Sequence, residues 1–129
     1  MGIREEAIRL HESGFNCAQS VLCACGKYTG LDDDTALALS AGFGGGVRCG
    51  EICGAISGAV MAIGMAYPFA DASDAKAKER IAALTRECAG RFENEYGCVR
   101  CCELKASGCS CAALIEYAAT LAEDIINVN

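Results

Sequence analysis

The chain reads as all-α: a single domain, residues 1–129, forming a bundle of five to six helices around a central glycine- and alanine-rich helix. Three observations lead there. Apolar residues recur at helical spacing along most of the chain, and no segment alternates like a strand. Only one proline, Pro68, interrupts the periodic stretches. The 129 residues are 53% hydrophobic, which is enough for one core and too apolar for disorder.

Residues 3 to 12 put Ile3, Ala7 and Leu10 on one face, with Arg4, Glu5, Glu6 and Arg9 between them, and Gly14 ends this surface helix. Asn16 caps a second helix, NCAQSVLCACGKY, with Ala18, Val21, Leu22 and Cys25 inward. Asp32 to Asp34 start a third, DDDTALALSAG. GFGGG, residues 42 to 46, is a loop. It lacks the Gly-Lys-Ser/Thr ending of a phosphate cradle, so its use is close approach of backbone N–H groups.

The fourth helix, residues 52 to 67, is the central one. Its uncharged run from Ile52 to Ala70 nears the length of a membrane span. The run is rich in alanine and glycine, not leucine, and has no basic flanks, so a buried helix is expected. Gly50, Gly54 and Gly58 stand four apart and make a face on which a second backbone can rest. That backbone belongs either to this chain or to a second copy in a homodimer. Pro68 stops the helix. Asp71 to Asp74 start the fifth, with Ile81, Leu84, Cys88 and Phe92 inward. The last helix follows Ser110 to the C-terminus, with Leu114, Ala118, Leu121 and Ile125 inward.

The net charge of −6 disfavours nucleic acid and anionic membrane surfaces as partners. The N-terminal MGIREEAIRLHES is charged and lacks the apolar core of a signal peptide, and no lipidation motif is present. A cytoplasmic protein with reduced thiols is expected. In that setting eleven cysteines, an odd number, point to metal or redox chemistry rather than to a disulfide scaffold.

Three cysteines share one local setting. Cys17 follows Asn16, Cys111 follows Ser110, and Cys53 opens the central helix. The first turn of a helix offers unpaired N–H donors and a partial positive charge, and both favour thiolate, the form that attacks disulfides and binds metals. Cys101, between Arg100 and Lys105, also has positive charge near it in sequence.

FNCAQSVL around Cys17, GFGGG, CGAISGAVMAIG from Cys53, CCEL with Cys101, and CAALIEYAA from Cys111 together resemble the redox-active proteins named for their cysteine pattern, the C-GCAxxG-C-C family. The likeness spans nearly the whole chain, and its central CGAxxGAxMAxG motif is the specific part. It implies a redox role for Cys17, Cys53, Cys101 and Cys111. A similar domain attached to certain multihaem cytochromes is associated with an iron–sulfur cluster, so the resemblance implies a cluster on these four thiolates. Gly44, Gly45, Gly46 and Gly54 are then the positions where backbone comes close to the cluster.

Seven cysteines exceed that pattern. Cys49 stands four before Cys53 and shares a face with it if the helix begins early. Cys98, Cys102 and Cys109 crowd Cys101 and Cys111, so Cys102 is an alternative to Cys101, and Cys109 to Cys111. All four are candidate additional metal ligands. Cys88 reads as a small buried hydrophobe, and at least one of Cys23 and Cys25 as packing.

Three functions compete: an iron–sulfur protein for electron transfer or small-substrate reduction, a metal-free thiol–disulfide protein using the same cysteines, and a zinc or soft-metal binder. The ferredoxin C-x2-C-x2-C run is absent, and a single C-x-x-C, Cys98 to Cys101, is present without a thioredoxin-like pattern around it. A redox partner protein or a small substrate is the expected partner. His11, the lone histidine, reads as a polar surface residue. Met61 and Met65 read as core, and Tyr67 and Tyr96 as proton donors only if the fold brings them to the thiols.

Overall fold

The computed structural model describes residues 2–128. Among them the regular structure is helical, apart from one isolated antiparallel bridge between Ile52 and Arg100. Six helices have eight residues or more: α1 (Ile3–Glu12), α2 (Cys17–Ala24), α4 (Asp33–Ser40), α5 (Gly54–Ala66), α6 (Ala75–Tyr96) and α8 (Cys111–Val128). Two short ones, α3 (Gly26–Thr29) and α7 (Cys101–Ala106), were not expected from the sequence. The second expected helix breaks at Cys25, whose backbone leaves helical values, so its tail becomes α3.

The helix ends follow local chemistry. Asn16 and Gln19 form a reciprocal capping box on α2. Asp32 Oδ2 accepts from the Thr35 N–H at 3.2 Å and starts α4. Asp74 Oδ1 accepts from the Ala77 N–H at 3.0 Å and starts α6, which ends on Gly97 in the left-handed region. Ser110 Oγ accepts from the Ala113 N–H at 3.1 Å at the head of α8.

α5 is the central element, flanked by α2, α6 and α8. Ala55, Ile56, Ala59, Ala62 and Ile63 are buried. The expected inward residues of α1, α2 and α8 are buried as well, and so are Leu84, Cys88 and Phe92 of α6; Ile81 is only half-buried. The small-residue face of α5 rests on α2 of the same chain. A Cβ on Gly58 would lie 2.7 Å from the Ala18 carbonyl oxygen, and one on Gly54 would lie 2.5 Å from Cys17 Sγ. That face is therefore covered within the chain and not free for a second copy. Gly50 does not belong to it: it lies before the helix, with φ +79°, against Cys102. No helix of the described residues is long and apolar enough to cross a membrane.

Candidate redox site

Two features bring distant cysteines together. The first is the α2–α5 crossing, which seats Cys17 on the bare backbone of Gly54. The second is a clip between residues 51–53 and 99–101. The Cys53 N–H donates to the Val99 carbonyl at 2.8 Å, and the Cys101 N–H donates to the Glu51 carbonyl at 2.6 Å. An Arg100–Glu51 ion pair at 3.0 Å lies over it on the surface.

Cys17, Cys53, Cys101 and Cys111 line one cavity, together with Gly45, Lys105 and Leu114. Each thiol stands at the start of a helix: Cys53 caps α5, and Cys17, Cys101 and Cys111 are the first residues of α2, α7 and α8. No carboxylate lines the cavity, and Lys105 adds a cation. Helix N-termini and Lys105 favour negative charge on sulfur, while burial opposes it.

The Cys17 thiol is lowered from 9.0 to about 5. Its first cause is the Cys53 thiol donating toward it. Burial opposes this, and the N–H groups of Gly45, Ala18 and Cys17 itself add to the lowering. Cys53 moves the other way, held protonated by its bond to Cys17 and by burial. Cys53 is therefore the donor of the pair and Cys17 the acceptor. For Cys101, burial raises the thiol, Lys105 pulls it back, and the charges of Cys17 and Cys111 raise it further.

The loop that delivers the Gly45 N–H is strained. Gly45, Gly46, Val47 and Arg48 have φ of 64, 65, 57 and 61°, a left-handed turn in which two residues are not glycine. Such backbone costs on the order of 1–3 kcal/mol per non-glycine residue and gathers at functional sites. Here it aims a donor at Cys17.

Of the expected close-approach glycines, Gly45 and Gly54 touch Cys17. A Cβ on Gly44 would meet the Asn16 side chain, and one on Gly46 the Glu51 backbone. Cys101 and Cys111 line the cavity; Cys49, Cys98, Cys102 and Cys109 do not. The face shared by Cys49 and Cys53 does not form. α5 starts only after Cys53, and Cys49 is exposed in the strained turn, its thiol toward the Gly46 carbonyl. Tyr67 and Tyr96 donate to the carbonyls of Ile126 and Ala113 and stay clear of the cavity. His11 Nδ1 contacts the Phe15 carbonyl oxygen. Met61 lines a different, apolar groove of about 470 Å³ between α5 and α6, and Met65 is exposed. Lys105 was visible in sequence only as a charge near Cys101; Leu114 was visible only as a core residue.

Residues 15–125 match the family model described as "Putative redox-active protein (C_GCAxxG_C_C)". The chain belongs to this family. Membership supports a redox role, and the four cysteines through which the sequence resembles the family are among the residues that line the cavity. No curated protein and no solved structure matches the chain.

The thiol charges make a pH prediction for reduced, metal-free protein. Cys17, lowered, contributes stability that is present above pH 9 and lost as pH falls through about 5. Cys23, Cys25 and Cys88, raised mainly by burial to about 11, 12 and 11, contribute stability that is present below pH 9 and lost as pH rises through those values. Urea midpoints taken across pH under reductant are expected to show both slopes. Cys17→Ser should remove the slope between pH 9 and about 5, leaving at lower pH the slope of the lowered carboxylates of Glu6, Asp32 and Asp71, and an unchanged slope in that upper window would refute the assignment.

Proposed function

We propose that the cavity is a redox centre that holds an iron–sulfur cluster on Cys17, Cys53, Cys101 and Cys111, for electron transfer or reduction of a small substrate. The carrying observation is that four thiols from four separate segments, each at a helix start, line one cavity free of carboxylate. Four thiolates are a complete ligand set for such a cluster.

The donor chemistry fits, and so do the two glycines that leave bare backbone against Cys17. The cavity itself measures about 30 Å³, the share of one water in the liquid. Among the described residues no three ligating side chains stand in metal-holding geometry. Admitting a cluster therefore requires the thiols to part. Once bound, the cluster supplies one-electron chemistry. The protein's own contribution is to gather the thiols, to lower the charge cost with helix N-termini and Lys105, and to wall the site with Leu114.

A second reading has its own observation. The Cys53 thiol donates to Cys17, which lowers Cys17 and raises Cys53, as suits an attacking thiolate and a resolving thiol. In this metal-free thiol–disulfide reading, Cys17 attacks an external disulfide and Cys53 displaces it.

Iron, acid-labile sulfide and zinc content, with a visible spectrum on protein purified without oxygen, separate the readings. Brown protein with stoichiometric iron and sulfide is the expected result. A colourless, metal-free sample that stays empty after anaerobic reconstitution would overturn the cluster and leave the dithiol. Zinc without iron or sulfide would make the four thiols a zinc site.

A further inference from the structure

The groove of about 470 Å³ between α5 and α6 is separate from the cysteine cavity. α5 contributes Ile56, Val60 and Met61, and α6 contributes Ala89. Phe43, Val47 and Ile52 add exposed apolar side chains from the segment that leads into α5. No charged side chain lines the groove. Groove and cavity meet at the first turn of α5. A Cβ on Gly54 would lie 2.7 Å from the Phe43 carbonyl oxygen and 2.5 Å from Cys17 Sγ. The Ile56 N–H donates to the Cys53 carbonyl at 3.0 Å.

The polar groups of the lining are two half-buried hydroxyls on facing helices, Ser57 of α5 and Thr85 of α6. Neither makes a hydrogen bond among the described residues. Each of the other serine and threonine hydroxyls does, most of them to a carbonyl one turn back, as Ser40 does to Ala36 at 2.7 Å. Ser57 and Thr85 are therefore free to bond a ligand. A charged ligand would lie in this groove without a counter-charge, which is costly, so the fit is to a neutral one. The Phe43 ring and the Met61 thioether both favour contact with another ring. The volume falls within the range of small-molecule sites.

We propose that the groove binds a small, neutral ring compound bearing carbonyl oxygens, of the quinone class. Its carbonyls accept from Ser57 and Thr85, and its ring packs against Phe43, Val60 and Met61. That such a ligand carries electrons rests on the redox centre proposed above; that it binds does not.

The test is equilibrium dialysis of the protein, without oxygen, against duroquinone, a fully substituted ring that thiols do not alkylate. Quinone and hydroquinone are counted together by chromatography, so electron transfer does not register as binding. Saturable uptake of about one equivalent is expected. Ser57→Ala and Thr85→Val should each weaken it about fivefold, the effect of one lost hydrogen bond. Both should keep the wild-type urea midpoint, because neither hydroxyl is bonded within the chain. Iron-free protein should bind equally, so the groove and the cluster fail separately. Uptake that does not saturate, or equal affinity in the wild type and both variants, would overturn the proposal. So would sedimentation as a dimer that Val47→Asp dissolves, which would give the groove to a second copy.

Discussion

Cys53→Ser protein, purified without oxygen, is expected to be colourless and to hold no stoichiometric iron or sulfide, while its helical signal stays at the wild-type level. The reasoning starts from its place in the fold. Cys53 is 3% exposed and caps α5, and its N–H is bonded to the Val99 carbonyl. Serine keeps that backbone bond and nearly the same volume, and it is a favourable N-cap residue. The helix therefore still starts at the same point. What is lost is a soft thiolate from a set of four. Loss of a mere second-layer partner already costs about 10–100-fold in metal affinity, and loss of a ligand costs more. Cys88→Ser is the matched control. Cys88 is equally buried on α6 but away from the cavity, so this variant should lose stability and keep its iron. Iron and sulfide retained at the wild-type ratio in Cys53→Ser would remove Cys53 from the ligand set.

Gly58→Ala and Gly64→Ala make the second large contrast: one helix, one substitution, opposite signs. At Gly58 the new methyl would lie 2.7 Å from the Ala18 carbonyl oxygen and 3.1 Å from Val21 Cβ. Backbone cannot rotate out of the way, so α2 and α5 must separate. Overpacking of this kind costs about 1–3 kcal/mol, against about 1 kcal/mol gained from alanine's helix propensity. At Gly64 nothing lies within 4 Å of the added methyl, and only the propensity gain of about 1 kcal/mol remains. Urea midpoints should fall for the first variant and rise for the second. Equal shifts in the two would mean that the crossing is not as close as Gly58 implies.

Much of the helical framework was legible along the chain. Ile3, Ala7 and Leu10, or Leu114, Ala118, Leu121 and Ile125, are buried because a helix turns every third or fourth residue to one side. Asn16, Asp32, Asp74 and Ser110 act as caps through bonds that reach only three residues. Pro68 and Gly97 end helices through their own backbone limits. Cys17, Cys53 and Cys111 were legible as candidates for the same reason, since residence at a helix start is a local property; Cys101 came only from the charge beside it and from the family likeness. The short α3 and α7 escaped because four or six residues carry too little periodicity to read.

Convergence is a different kind of fact. Cys17, Cys53, Cys101 and Cys111 meet because α2 crosses α5 on Gly54 and Gly58, and because Ile52 pairs with Arg100 across the clip. Neither contact leaves a periodic trace in the chain. Cys101 and Cys111 line the cavity while Cys102 and Cys109, one and two residues away, do not, and packing alone makes that difference. The left-handed turn at Val47 and Arg48 runs against local preference and is held by its surroundings. Short-range sterics and capping bonds, which act within a few residues, were determined by the sequence alone. The pairing of Cys17 with Cys53 and the approach of Lys105 to the cavity depend on through-space distances between segments, and packing alone decided those.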